Sequence, residues 1–127
     1  MTQVKLEHVN VTVSDLSATV DWMEFVFDWK IRWHGPSIHN GKTVHVGGDD
    51  SYLALYQPPT DPTPPVDSYR SINGLNHIAV VVPDLDVIEQ RVRHVGFTPC
   101  SHADYEPGRR FYFDDADGIE FEVVQYD

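Results

Sequence analysis

The chain repeats itself. Displaced by 69 residues, Leu6-Glu7-His8-Val9-Asn10-Val11-Thr12-Val13 falls on Leu75-Asn76-His77-Ile78-Ala79-Val80-Val81-Val82, and Ser14-Asp15-Leu16 falls on Pro83-Asp84-Leu85. Such self-similarity implies two copies of one supersecondary unit, each too short to bury an adequate core alone. Both copies open with a run rich in β-branched residues that ends at an Asp placed to cap a helix. After Asp15, apolar residues at Leu16, Val20, Met23 and Phe27 share one helical face. After Asp84 the same holds for Leu85, Ile88, Val92 and Val95, with Gly96 as the stop. Three strand-like runs follow each helix, at residues 29–33, 43–46 and 52–57 and again at 97–101, 109–113 and 119–126. Gly35-Pro36, Asn40-Gly41, Gly47-Gly48-Asp49-Asp50, Pro107-Gly108 and Asp117-Gly118 separate them, because Gly permits positive φ and Asn or Asp bonds its own backbone. The pattern is βαβββ twice, which predicts an α+β chain.

Between the copies lies Pro58-Pro59-Thr60-Asp61-Pro62-Thr63-Pro64-Pro65, five prolines in eight residues. It predicts a stiff, extended linker. At 127 residues the chain reads as one domain over 1–127, with module 1 at about 4–57, the linker at 58–73 and module 2 at about 74–127. Nine Lys and Arg against twenty Asp and Glu give a formal net charge of −11. That excludes a nucleic-acid or anionic-membrane binder, whose affinity rests on clustered positive charge. No apolar run approaches a membrane span, and the N-terminus lacks the layout of a secretion signal. The single Cys100 cannot form an internal disulfide. A cytoplasmic protein is expected.

Alternation along the strands sorts side chains onto faces. Val9, Val11 and Val13 form an apolar face expected against the first helix, leaving His8, Asn10 and Thr12 opposite. In the matching strand Ile78, Val80 and Val82 face the helix, leaving His77, Ala79 and Val81. On the last strand Phe121, Val123 and Gln125 alternate with Glu120, Glu122 and Val124, and an offset of 68 lays Glu122 over Ala54. Two histidines thus take equivalent places on equivalent strands. A lone strand histidine is ordinarily a satisfied polar residue; the symmetry is what singles these two out.

The stretches LEHVNVTVSDL, LNHIAVVVPDL and FYFDDADGIEFEVV resemble the vicinal oxygen chelate superfamily over nearly the whole chain. That group includes glyoxalase I, extradiol ring-cleaving dioxygenases, fosfomycin-resistance thiol transferases and bleomycin-resistance binding proteins. The resemblance implies mixed sheets curled around a metal-centred cavity, with His8, His77 and Glu122 at ligand positions for a divalent Fe, Mn, Ni, Co or Zn ion. Two imidazoles and one carboxylate leave coordination sites open, so vicinal oxygens of a substrate can chelate the ion, which acts as a Lewis acid. Ala54 stands where glyoxalase I carries another carboxylate, which departs from the four-ligand pattern. Tyr112 precedes Ala116 by four residues in a segment similar to the YxxxPxG of dioxygenases and fosfomycin enzymes, Ala116 replacing the proline. The resemblance implies that Tyr112 hydrogen-bonds an oxygen ligand; core packing is the other reading.

Two functions follow as expectations. One is a divalent-metal-dependent small-molecule enzyme, lyase-like or dioxygenase-like; the alternative is a metal-free protein that sequesters an aromatic or apolar ligand. The resemblance also implies a homodimer in which His8 of one chain faces His77 and Glu122 of another, with closure inside a monomer as the alternative. His102, Glu106 and Arg110 occupy the stretch where fosfomycin enzymes carry Lys and Ser, and the sequence stops five residues past Glu122, before their later arginine. Fosfomycin chemistry is therefore not expected. Tyr52, Tyr56 and Trp33 read as cavity lining or core, and His34, His39 and His45 as loop-associated histidines. Arg109 and Arg110 read as exposed charges, with neutralisation of an acid group as the other reading, and Cys100 as buried.

Overall fold

The computed structural model describes residues 3–127. The chain divides into two compact units between Thr63 and Pro64. The first contains β1 (His8–Thr12), α1 (Leu16–Phe27), β2 (Lys30–Pro36), β3 (Lys42–Gly47) and β4 (Tyr52–Gln57). The second contains β5 (Ile78–Val81), α2 (Leu85–His94), β6 (Cys100–Tyr105), β7 (Gly108–Asp114) and β8 (Glu120–Tyr126). Each unit is a four-stranded mixed sheet, ordered β1-β4-β3-β2 and β5-β8-β7-β6. The first and last strands of each unit pair in parallel and the rest antiparallel. This is the expected α+β arrangement of two βαβββ modules. Among the described residues no helix is long and apolar enough to cross a membrane.

The helices begin where the sequence predicts, and by the same device. The Asp15 side chain accepts from the Ala18 N–H at 3.0 Å, and Asp84 accepts from Val87 N–H at 3.3 Å. A second acceptor comes from the end of each unit's last strand: Gln57 Oε1 takes the Leu16 N–H at 2.9 Å, and Gln125 Oε1 takes the Leu85 N–H at 2.8 Å. Helix N-termini leave orphan N–H groups; here a glutamine fastens each helix to its sheet. The buried face of α1 is Leu16, Thr19, Val20, Trp22, Met23 and Val26. Phe27, expected on that face, is half-buried and packs its ring on Trp22 and Trp29. The α2 face is Leu85, Ile88 and Val92, while Val95, expected to continue it, is the half-buried C-cap.

In the second unit Phe111, Phe113, Phe121 and Val123 are fully buried. Each phenylalanine contributes roughly 2–3 kcal/mol by leaving water. In the first unit Val46, Leu53 and Leu55 fill the equivalent places. Val9, expected in that core, is 40% exposed, since it lies at the start of β1 at the sheet edge.

Three departures from the sequence reading matter for the site. β2 runs on through Gly35-Pro36, and its register slips between Ile31 and Trp33. β6 begins at Cys100, not Phe97: the Phe97 N–H bonds the Val92 carbonyl at 3.1 Å, which prolongs the helix exit. Pro58–Pro65 has no regular structure, but residues 67–74 fold into turns, and the Tyr69 hydroxyl donates to Glu120 on β8.

Candidate functional site

The register on β8 decides what meets Glu122. Ala79 lies opposite it on β5 and Tyr112 opposite it on β7, so its side chain projects on the face away from α2. The carboxylate is buried, with 8% exposed. Burying a carboxylate is costly unless it is paired, and Glu122 is paired twice. Arg110 Nη1 donates to Oε2 at 2.7 Å, and His77 Nε2 lies 3.1 Å from Oε1. The Asn76 Oδ1 lies 2.6 Å from His77 Nδ1. With the Nδ1 proton given to that amide oxygen, the Nε2 lone pair faces a carboxylate oxygen, an arrangement that a proton or a cation between them stabilises. The 3.1 Å separation is that of an imidazole–carboxylate hydrogen bond, and the two groups are also donor types that a divalent ion accepts.

Arg110 is the residue that sequence reasoning misread. It is buried rather than exposed. Its Nη2 donates to the Gly108 carbonyl at 3.2 Å and more loosely to that of Tyr105 at 3.4 Å, and the guanidinium lies 4.3 Å from the Tyr105 ring centroid. Its Nε has no acceptor. The signal was available: Arg110 shares strand parity with Tyr112, and both flank Glu122 across the β7–β8 ladder. Arg109, by contrast, is exposed, with Asp86 at 3.4 Å.

Tyr112 stands edge-on to His77, ring centroids 6.0 Å apart. Burial, then the neighbouring Glu122 and Tyr105, raise its hydroxyl above the ordinary tyrosine range. The shift favours the protonated hydroxyl, which is able to donate a hydrogen bond. Cys100 pairs with Tyr112 across β6–β7 and is exposed, against the expectation that it is buried.

The first unit carries the matching positions with different chemistry. Ala54 pairs with Asn10 and with His45, so His45 occupies the place of Tyr112, and Thr43 that of Arg110. His8 stacks on Tyr52 at 4.9 Å, and Tyr52 on His45 at 4.6 Å. Glu7 accepts from Tyr52 at 3.0 Å and lies 2.9 Å from His8 Nδ1, the role Asn76 has for His77. Each imidazole is thus oriented through Nδ1 by the residue before it, and the Nε2 of His77 is turned to Glu122. Burial, then His8 and Arg32, shift the His45 imidazole downward from the ordinary histidine value, which disfavours its charged form. The structure brings His77 and Glu122 together; among the described residues no group of three His, Cys, Asp or Glu side chains assembles. His34 and His39 are exposed, His39 in a turn at φ 57°. A separate groove of about 1060 Å³ lies between α1 and β2–β3, lined by Val20, Glu24, His34, Lys42 and Gln57 among others. It includes neither His8 nor His45.

The model of a protein family described as Glyoxalase/Bleomycin resistance protein/Dioxygenase superfamily matches residues 5–123. No curated protein matches the chain. Among solved structures, a glyoxylase/bleomycin resistance protein/dioxygenase domain from Frankia sp. EAN1pec is 25% identical with a TM-score of 0.84, covering 99% of this chain and 100% of that one. TnmS3, an antibiotic binding protein from Streptomyces sp. CB03234, is 21% identical with a TM-score of 0.76, over 100% of this chain and 99% of that one. A mutant of the fosfomycin resistance protein FosX from Listeria monocytogenes, complexed with Mn(II) and a dihydroxypropylphosphonic acid, is 16% identical with a TM-score of 0.72, over 97% and 93%.

Proposed function

The chain belongs to the glyoxalase/bleomycin resistance protein/dioxygenase superfamily, and on that premise we propose that it is a divalent-metal-dependent enzyme acting on a small molecule. His8, His77 and Glu122 are the proposed ligands and Tyr112 the hydrogen-bond donor to the bound substrate. The observation that carries this reading is the convergence of His77 Nε2 and Glu122 Oε1 at 3.1 Å, with Nδ1 already engaged by Asn76. When bound, the ion supplies Lewis acidity toward vicinal substrate oxygens. The chain's own groups supply the rest. Asn76 and Glu7 fix the imidazole tautomers, Arg110 neutralises the outer oxygen of Glu122, and the Tyr112 hydroxyl offers a proton in a hydrogen bond to a substrate oxygen.

The site is further proposed to be shared in a homodimer, His8 from one chain serving with His77 and Glu122 of another. Mixing His8→Ala with Glu122→Ala protein restores metal binding in part if the site is shared, and not at all if it closes within one chain. Elemental analysis of the purified chain, reconstituted in turn with Fe, Mn, Ni, Co and Zn, tests the metal itself. One ion per site is expected, abolished by His77→Ala and weakened by Glu122→Gln, whose neutral amide loses the charge offsetting the ion's desolvation. No retained metal under any condition overturns the enzyme reading. In favour of the second reading, a metal-free binding protein, stands the Arg110–Glu122 pair, which already neutralises the carboxylate. Assay of a methylglyoxal–glutathione hemithioacetal and of catechols with each metal form separates lyase from dioxygenase.

A further inference from the structure

Four rings cross the first sheet on the face turned away from α1. Trp33 on β2 lies 5.2 Å from His45 on β3, His45 lies 4.6 Å from Tyr52 on β4, and Tyr52 lies 4.9 Å from His8 on β1. The last two contacts are stacked, at interplanar angles of 26° and 14°. Trp33 is 49% exposed, an unusual position for an indole on a sheet whose other side has a complete core. Beside it the Arg32 guanidinium lies 4.5 Å from the Tyr52 ring centroid. Although the chain has twenty acidic residues, Arg32 is in no ion pair among the described residues.

The cause of this grouping is the register slip in β2. Ile31 pairs with Val46 and Trp33 with His45, so Arg32 is the extra residue of a bulge. Without the bulge, neighbours in a strand point to opposite faces; with it, Arg32 and Trp33 share one. Bulges re-aim side chains in this way beside binding sites. A cation in no ion pair among the described residues, with only the Glu7 carboxylate on Tyr52 in its field, and a half-exposed ring stack are thereby set side by side, in a chain whose overall charge would otherwise repel anions.

We infer that this ledge binds a planar aromatic acid, its ring stacked on the half-exposed Trp33 at the end of the row and its carboxylate or phenolate held by Arg32. The inference rests on the small-molecule reading, and names its ligand class, but it does not require the metal. Isothermal titration with 2-naphthoate as probe, on EDTA-treated full-length chain, tests it; 2-naphthalenemethanol lacks the charge and cyclohexanecarboxylate lacks the aromatic face. Naphthoate should bind at least tenfold more tightly than either control. Trp33→Leu, which keeps apolar bulk without the π face, and Arg32→Gln should each weaken naphthoate at least tenfold, and Arg32→Lys should restore part of the loss. Only Arg32→Gln should abolish the preference for the acid over the alcohol. Metal content of the untreated protein, read by elemental analysis, reports failure of the metal site separately. Equal affinity for all three probes, no binding of naphthoate, or naphthoate affinity unaffected by both Trp33→Leu and Arg32→Gln overturns the inference.

Discussion

Asp115 sits in the turn between β7 and β8, and its carboxylate accepts the N–H groups of Asp117 at 2.9 Å and Ile119 at 3.0 Å. The turn launches the strand that carries Glu122, so its energetics bear on the site. Burial dominates over those two bonds and pushes the carboxyl from 3.8 up to about 6. At about 1.36 kcal/mol per pH unit, that displacement corresponds to roughly 3 kcal/mol, the ceiling of the effect. The sign follows from linkage: a carboxyl raised on folding contributes its stability fully below pH 3.8 and loses it as the pH rises through about 6. Asp115→Asn keeps an oxygen for both N–H groups and removes the buried charge. The variant should therefore exceed the wild type by about 1–3 kcal/mol at pH 7.5, and the difference should vanish near pH 4. Asp115→Ala, which strands both N–H groups, should be destabilised relative to Asp115→Asn at every pH by about 1–3 kcal/mol. Urea unfolding followed by circular dichroism at four pH values between 4 and 7.5 measures all three proteins. An Asn variant no more stable than wild type at pH 7.5, or a difference that is flat with pH, refutes the argument.

Arg110→Met should raise the affinity for divalent ions severalfold in metal titrations, because it removes a cation that competes for Glu122, while lowering the thermal midpoint of the metal-free protein by stranding a buried carboxylate. Ala54→Glu should tighten metal retention at least tenfold and suppress native activity by filling an open coordination position, read by equilibrium dialysis and turnover together; weaker retention would point to a ligand set other than His8, His77 and Glu122. Gln57→Ala and Gln125→Ala should each cost about 1 kcal/mol in urea unfolding, the usual net worth of a lost hydrogen bond, and should raise amide exchange at Leu16 and Leu85 respectively.

The repeat made most of the fold legible. Aligning Asp15 with Asp84 located both helix starts, and the 68-residue offset between Ala54 and Glu122 anticipated their equivalent registers against Asn10 and Ala79. Alternation set His77 on the face away from the helix and Glu122 with Glu120 and Val124, whereas Tyr112 was singled out by the resemblance and its place opposite Glu122 came from the register. What alternation could not reveal is where it is interrupted. The slip at Arg32 and the irregularity between Cys100 and Ala103, where Ser101 takes φ 55°, have no composition of their own. Beyond each bulge the parity count is reversed, whereas the start of β6 was misplaced because the Phe97 N–H bonds the Val92 carbonyl at the helix exit. Arg110 was missed for another reason: its charge suggested solvent, but a buried carboxylate two strand positions away had to be neutralised by something.

The glutamine that ties each helix to its last strand is found in both halves, whereas the residues between those ties have diverged: Glu122 against Ala54, Tyr112 against His45, Arg110 against Thr43. Scaffold and lining are thus separable in the two halves of this chain. Because each tie is made at the rim of its sheet, between the strand's end and the helix's first turn, the lining on the opposite face can be exchanged without loosening it. A duplicated module of this design can assign charge to one half and stacked rings to the other while both continue to fold by the same instructions.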